Sequence, residues 1–304
     1  MATTTPSPLT DRSILLGFCL AALAAIGFSG KAILVKLVYF EPVDAVTLLA
    51  LRMLFSTPFF LLVALRHIGR GAASPLSGKD YLSILVLGLL GYYMSSLFDF
   101  VGLQYISAGL ERLILFLYPT MVVVLSAVLL GKSVGTKEAV ALLLSYAGIG
   151  VVFMHEMQFD SPQVLKGAGF VFASTLTYSA YLIGTGEAVA RIGVARFTAL
   201  AMLVACAATV LQFVLTHPPR NLLLLSARVY QLSAVMAIVS TVLPVFMLSA
   251  GIRLIGSGRA ALIGSIGPVA TLFMAAAILD EPMTPQQIGG AALVMAGVLS
   301  LSRK

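Results

Sequence analysis

Lys31, Asp99, Glu111 and Arg112 are ionisable side chains within otherwise apolar stretches of this sequence. Two cations and two anions at one depth form a neutral set, the arrangement in which charge is tolerated away from water. Such a set could gate a path or bind a charged solute, and Glu111 and Asp99 could carry a proton. Snorkelling to an interface is the competing role for Lys31, whose stem is long; it suits the short side chain of Glu111 less well. Other chemistry falls away. Gly27-Phe28-Ser29-Gly30 has the form of an intramembrane serine-protease motif, but His67, His155 and His217 all lie in connections, where none can act as its base. His155-Glu156 has Phe159 where a zinc-binding HExxH helix places its second His, and Gly30-Lys31 is followed by Ala32, not by the Ser or Thr of a phosphate loop. Cys19 and Cys206 make neither a CxxC nor a disulfide framework. We therefore expect no enzyme, no metal and no cofactor.

These charges must be placed by elements that live in lipid. Of 304 residues, 60% are apolar and only 10% charged, with a mean hydropathy of +1.04. A soluble domain carries about 25% charged residues. The net charge of +7 and pI near 9.5 would hint at nucleic acid in a soluble protein. Here no basic run is interleaved with aromatics, so nucleic acid is set aside; the excess fits loops facing anionic lipid.

A helix needs about 20 apolar residues to cross the hydrocarbon core. Ten stretches qualify: 13–35, 43–65, 80–103, 106–130, 136–154, 164–186, 194–215, 228–251, 257–279 and 285–302. Residues 1–12 read as a flexible tail. With the N-terminus cytoplasmic, the inner connections hold Arg12, Arg66, Arg70, Lys79, Lys132, Lys137, Arg191, Arg196, Arg253, Arg259, Arg303 and Lys304. The outer set is half as large: Lys31, Lys36, Arg112, Lys166, Arg220 and Arg228. The bias places both termini in the cytoplasm. Arg52 lies inside the second stretch and needs a partner.

Polar residues in such helices must face protein or water. Gly88, Tyr92, Ser95, Ser96 and Asp99 follow one stripe of the third stretch; Ser174, Thr177, Tyr178, Tyr181 and Thr185 follow one of the sixth. The eighth offers Ser233, Ser240, Thr241 and Pro244, and the ninth Ser257, Ala261, Gly264, Ser265 and Pro268. We expect these faces to converge on a wet central cavity. Tyr92, Tyr93, Tyr118, Tyr178 and Tyr181 would accept rings or amphipathic solutes there. For any single Ser or Gly, close helix packing is the simpler role. Small residues late in the fifth and tenth stretches (Ala147, Gly148, Gly150, Gly289, Gly290, Ala296 and Gly297) predict a tight seam.

The chain also repeats itself. Residues 102–150 align without a gap on 251–299, matching Gly102 with Gly251, Gly109 with Gly258, Pro119 with Pro268, and Gly148 with Gly297. A unit of five helices is odd, so a second copy would enter the membrane from the opposite side, the symmetry many alternating-access transporters use. Pro119, Pro244 and Pro268 are the expected hinges or cavity-lining breaks.

The segment GLQYISAGLERLILFLYPTMVVVLSAVLLGK (102–132) resembles the fourth span of the drug/metabolite transporter superfamily, EamA type. Residues 251–301 resemble that family's last two spans more closely. The resemblance covers nearly the whole chain. It implies ten helices in two five-helix repeats around a central cavity, and a carrier for small metabolites, commonly an exporter of amino acids. The family usually has an acid after its fourth span; Glu281 fills that place in the second copy, but Lys132 stands in the first. Small multidrug-resistance relatives use a Glu in their first span, and the first stretch here holds no acid.

The expectation is thus an all-helical integral membrane protein of ten helices in two inverted repeats, 13–154 and 164–304, joined by a linker at 155–163. It would act as a monomer in the bacterial inner membrane on a small-molecule substrate. A channel, or a multidrug exporter of the same fold, is the alternative. A channel would need a continuous pore with rings of like charge.

Overall fold

The computed structural model describes residues 11–68, 75–158 and 161–302, and all regular structure among them is helical. Residues 1–10 of the tail expected at 1–12, the middle of the long 66–79 connection and part of the 155–163 linker lie outside the described residues, and Asp11 and Arg12 already belong to the first helix. Ten rods follow in chain order: α1 (Asp11–Val38), α2 (Ala45–Ile68), α3 (Gly78–Gly102), α4 (Ala108–Leu130), α5 (Thr136–Glu156), α6 (Ser161–Ile192), α7 (Val194–Thr216), α8 (Ala227–Ile255), α9 (Ser257–Gly264 continued by Ile266–Leu279) and α10 (Pro285–Ser302). Eight of them are long and apolar enough to cross a membrane, all but α6 and α10. Helix α6 spans 32 residues, but its Ser, Thr and Tyr content dilutes its apolar character. Helix α10 is the short one.

Serines start several rods because their hydroxyl accepts one of the orphaned first-turn amides. Ser107 accepts from Leu110 N, and Ser226 from Val229 N. Rods α4 and α9 end on left-handed residues, Gly131 (φ +65°) and Asp280 (φ +55°), which occupy matching positions in the two aligned copies.

Helix α1 packs along α8 and α9, while α6 packs along α3 and α4. The pairs α2·α7 and α5·α10 complete the bundle, with α3·α7 and α2·α8 between them. Two groups result, α1/α8/α9 and α6/α3/α4. They meet where α1 and α9 touch the first half of α4. Large apolar side chains such as Leu143, Met154, Leu215 and Leu223 point outward, more than two-thirds exposed, as a lipid-facing surface requires.

Candidate functional site

Asp99 and Glu111 reach one place from neighbouring rods of one group. Lys31 reaches it from α1, across the boundary between groups. Its ammonium lies 2.5 Å from Asp99 Oδ2 and 3.3 Å from Glu111 Oε1. The Glu111 side chain is fully buried and that of Asp99 is 3% exposed, so neither carboxylate reaches headgroups or bulk water. Lys31 is turned onto the two acids; it does not snorkel. Neither oxygen of Glu111 accepts a hydrogen bond, and Asp99 Oδ1 is likewise unpartnered. Arg112 turns the other way. Its Nη2 lies 3.3 Å from Ser29 Oγ on α1, and its guanidinium fills the space that the missing side chain of Gly267 leaves on α9.

Arg52 finds its partners on α3. It donates to Ser96 Oγ at 2.9 Å and sits over the Phe100 ring, 4.8 Å from its centroid. The stripe predicted for α3 is divided by a π-helical turn at Leu89–Met94. One extra residue in that turn re-aims everything after it. Tyr92 and Ser95 face α6, Ser96 faces α2, and Asp99 faces α1. A second π turn occupies Ile238–Val242 of α8, and Thr241 Oγ1 donates to the Met236 carbonyl there at 3.2 Å.

The tyrosines form one aromatic cluster between α3, α4 and α6. Tyr92 and Tyr181 share a hydroxyl contact of 2.9 Å, with ring centroids 5.1 Å apart. Tyr178 lies against Tyr181 at 5.6 Å and edge-on to Tyr118 at 5.7 Å. Beside them Ser174 Oγ donates to the Ser95 carbonyl at 2.7 Å. Tyr93 is half-buried and belongs to the large apolar core built around α1, α2 and α3.

Rods α4 and α9 are interrupted, after Leu115 and at Ser265, and resume as Tyr118–Leu130 and Ile266–Leu279. Pro119, expected to bend a continuous helix, instead stands in the opening turn of a new segment, where its missing N–H costs nothing. Pro268 does the same in Ile266–Leu279, and Pro244 opens Leu243–Ile255 directly after the π turn. Ser265 Oγ closes locally on the Leu262 carbonyl at 2.6 Å. The side chains of Ser257 and Ala261, named for the α9 stripe, lie outside the described residues.

At the end of the bundle nearest the charges, Glu281 accepts from the backbone amides of Ala108 and Gly109 at 2.9 and 3.3 Å. It thereby neutralises the positive pole of α4. Ser107, which caps the same helix, donates to Glu156 Oε1. Just above the charge cluster is a cleft of about 270 Å³ lined by Lys36, Tyr39, Phe40, Leu103, Gln104, Leu279 and Glu281. Tyr39 donates to the Phe100 carbonyl at 2.7 Å. Burial, then the charges of Asp99 and Asp44, push its phenol above the usual tyrosine range, so it remains a donor.

The EamA-like transporter family matches residues 15–154 and again residues 165–303. The chain belongs to this family. It is 29% identical over 297 residues to the uncharacterized transporter YcbK of Bacillus subtilis (strain 168), covering 94% of each chain. It is 23% identical over 320 residues to the uncharacterized transporter sll1319 of Synechocystis sp., covering 95% of this chain and 93% of the relative. One crystal structure superposes with a TM-score of 0.65 at 18% identity, covering 97% of this chain and 99% of that one, and shares the fold.

For this EamA-like transporter, the structure brings Lys31, Asp99 and Glu111 together and holds Arg112 beside them on Ser29. It gathers Tyr92, Tyr118, Tyr178 and Tyr181 into one cluster, with Ser95 and Ser174 adjoining it. It sends Ser96 to Arg52, and it leaves Thr241 and Ser265 bonded to carbonyls of their own rods. Sequence reasoning missed Phe100 as a platform for Arg52, and Glu281 as the cap of α4. It also missed the serines that stitch the interrupted rods. The partner of Arg52 had a signal, since Ser96 was on the expected polar stripe. The cap had none, because Glu281 and Ala108 are far apart in sequence.

Proposed function

We propose that this protein is a secondary transporter that moves small organic metabolites, amino acids or related compounds, across the bacterial inner membrane by alternating access, chiefly outward. In this reading all ten rods span the bilayer, both termini are cytoplasmic, and the Glu281 end faces outward. The halves at 13–154 and 164–304 are inverted repeats of one five-helix unit, and the protein works as a monomer.

One observation carries the reading. Exchanging α1–α5 with α6–α10 turns the pairing α1·α8 into α6·α3 and α1·α9 into α6·α4, and it leaves α2·α7 and α5·α10 as they are. The π turns of α3 and α8 and the breaks of α4 and α9 also correspond under this exchange. Such symmetry supports two conformations in which the halves trade roles. The exchange fails where the two groups meet. Helix α1 and the Ile266–Leu279 part of α9 pack on Ala108–Leu115, whereas among the described residues neither α6 nor Tyr118–Leu130 makes a comparable contact with Ser257–Gly264. That asymmetry supports a state sealed at the Glu281 end and looser at the other.

In this scheme Lys31, Asp99, Glu111 and Arg112 form the outer gate, and Glu111 and Asp99 are the sites for a coupling proton. The cluster of Tyr92, Tyr118, Tyr178 and Tyr181, with Ser95, Ser96, Ser174, Thr241 and Ser265, makes the path beneath it. The test is counterflow in proteoliposomes with a metabolite panel, run with and without a pH gradient. Saturable, trans-stimulated exchange is expected; single-channel current would overturn it.

A further inference from the structure

We propose that the Asp99–Glu111 carboxylate pair is a binding site for a primary ammonium, filled by the protein's own Lys31 in this conformation. The cargo's ammonium then takes Lys31's place when the Glu281 end opens. This rests on the transport reading above and names the chemistry that the cargo must carry.

The argument begins with unmet valences. An ammonium has three N–H donors, and an ionised carboxylate has about four acceptor positions. Here two carboxylates face one ammonium. Lys31 bonds Asp99 Oδ2, while both Glu111 oxygens and Asp99 Oδ1 receive no hydrogen bond. The nearby guanidiniums are committed elsewhere, Arg52 to Ser96 and the Phe100 ring, Arg112 to Ser29. The site is therefore rich in acceptors and dry, and the one cation bonded to its carboxylates sits on a flexible four-carbon stem.

The second step is mechanical. Asp99 and Glu111 stand on α3 and α4, packed on α6; Lys31 stands on α1, packed on α8 and α9. Any motion that parts the two groups at this end draws the ammonium off the carboxylates. Two buried carboxylates stripped of the ammonium bonded to them are strongly disfavoured. A replacement cation that can donate hydrogen bonds removes that cost, so opening is coupled to arrival of an ammonium, and closing returns Lys31 as a competitor. A quaternary ammonium lacks the N–H donors that the free oxygens require, so the site selects against it.

Full-length protein in detergent micelles provides the first test. In Lys31→Ala the tethered ammonium is gone and the site remains. n-Butylammonium, which matches the deleted side chain, should raise the unfolding midpoint of that variant by about 2–4 °C at roughly ten times its dissociation constant. Tetramethylammonium and n-butanol should leave it unmoved. Adding Glu111→Gln and Asp99→Asn to Lys31→Ala should abolish the shift. An equal response to tetramethylammonium, or a shift that survives loss of both acids, overturns the proposal.

The second test needs no variant. In wild-type proteoliposomes, n-butylammonium should inhibit counterflow competitively, and every transported member of the panel should carry a primary ammonium. Counterflow of an amine-free solute, insensitive to n-butylammonium, sinks this inference while leaving the transport reading intact. The absence of any counterflow, with amine binding to Lys31→Ala preserved, sinks the transport reading and leaves the ammonium site standing.

Discussion

The Ser29 hydroxyl shares its proton between the Ala25 carbonyl of its own rod, at 2.8 Å, and the carbonyl of Gly267, at 2.9 Å, and Gly267 is the residue immediately before Pro268. Ser179 stands in the corresponding place: its hydroxyl donates to the Thr175 carbonyl of its own rod at 2.7 Å and lies 3.3 Å from the carbonyl of Tyr118, immediately before Pro119. In each case the donor is on α1 or α6 and the acceptor on the interrupted rod packed against it. The carbonyl that a proline frees lies four residues before it; these bonds instead tie the first turn of each resumed segment to the neighbouring rod, and Thr271 Oγ1 shares the Gly267 carbonyl at 3.1 Å.

Ser29→Ala should therefore lower the stability of the detergent-solubilised protein by about 1 kcal/mol, near the usual net value of one buried hydrogen bond. Ser29 also holds Arg112, so the same substitution should slow transport more than Ser179→Ala does. Thermal unfolding of the two variants, paired with counterflow rates, checks both statements. Equal transport rates would mean that the Ser29–Arg112 contact has no part in gating.

The seam between α5 and α10 makes a sharper packing prediction. A Cβ added at Gly148 would stand 2.6 Å from the Gly290 carbonyl oxygen and 2.9 Å from Leu293 Cβ. At Gly289 and Gly150 an added Cβ meets nothing within 4 Å. Gly148→Ala should cost about 1–3 kcal/mol, because backbone on both sides must move apart. Gly289→Ala should be close to neutral. Unfolding midpoints of the two variants measure the difference directly.

That contrast also marks what the sequence could disclose. Small residues late in the fifth and tenth stretches pointed to a seam, and Gly148 and Gly290 lie within it. Spacing alone could not separate them from Gly150 and Gly289, since the choice depends on how α10 is rotated. Helices, their order and the charge cluster were legible because length, hydropathy and buried charge are local properties of a chain in lipid. The π turn at Leu89–Met94 was not legible. Nothing in Leu-Leu-Gly-Tyr-Tyr-Met announces an extra residue per turn, and a regular 3.6 period therefore assigned Gly88, which precedes the turn and abuts Ala201 on α7, to one face with Ser96 and Asp99, which follow it. Pro119 was legible as an interruption, but not as the opening turn of a fresh segment, because the break at Leu115 is met from another rod, where Thr175 Oγ1 donates to the Ile114 carbonyl at 3.1 Å.

Arg52 tests the other half of the buried charge. It is held by one hydrogen bond to Ser96 and by the face of Phe100, a planar arrangement that an ammonium does not reproduce. Arg52→Lys should thus destabilise the protein by about 1–2 kcal/mol despite keeping the charge. Ser96→Ala should cost less, since the ring contact persists. A lysine variant as stable as wild type would mean that charge alone matters at this position.

Glu111 is the place to look for a proton. The groups facing it are Lys31 from α1, Asp99 from α3 and its own neighbour Arg112, which is turned toward Ser29. With both acids ionised, Lys31 is held from two sides and the Glu281 end stays shut. Protonating Glu111 removes one of those holds, so opening should become easier as the pH on that side falls. Wild-type counterflow should accordingly speed up as the pH on that side is lowered, in a titration run from alkaline to acidic pH. Glu111→Gln, which is permanently neutral, should lose the slope, its weaker hold on Lys31 being offset by a weaker hold on the cargo's ammonium. If Glu111→Gln keeps the wild-type slope, the titrating group is elsewhere, and the pairing of Lys31 with Glu111 serves closure alone.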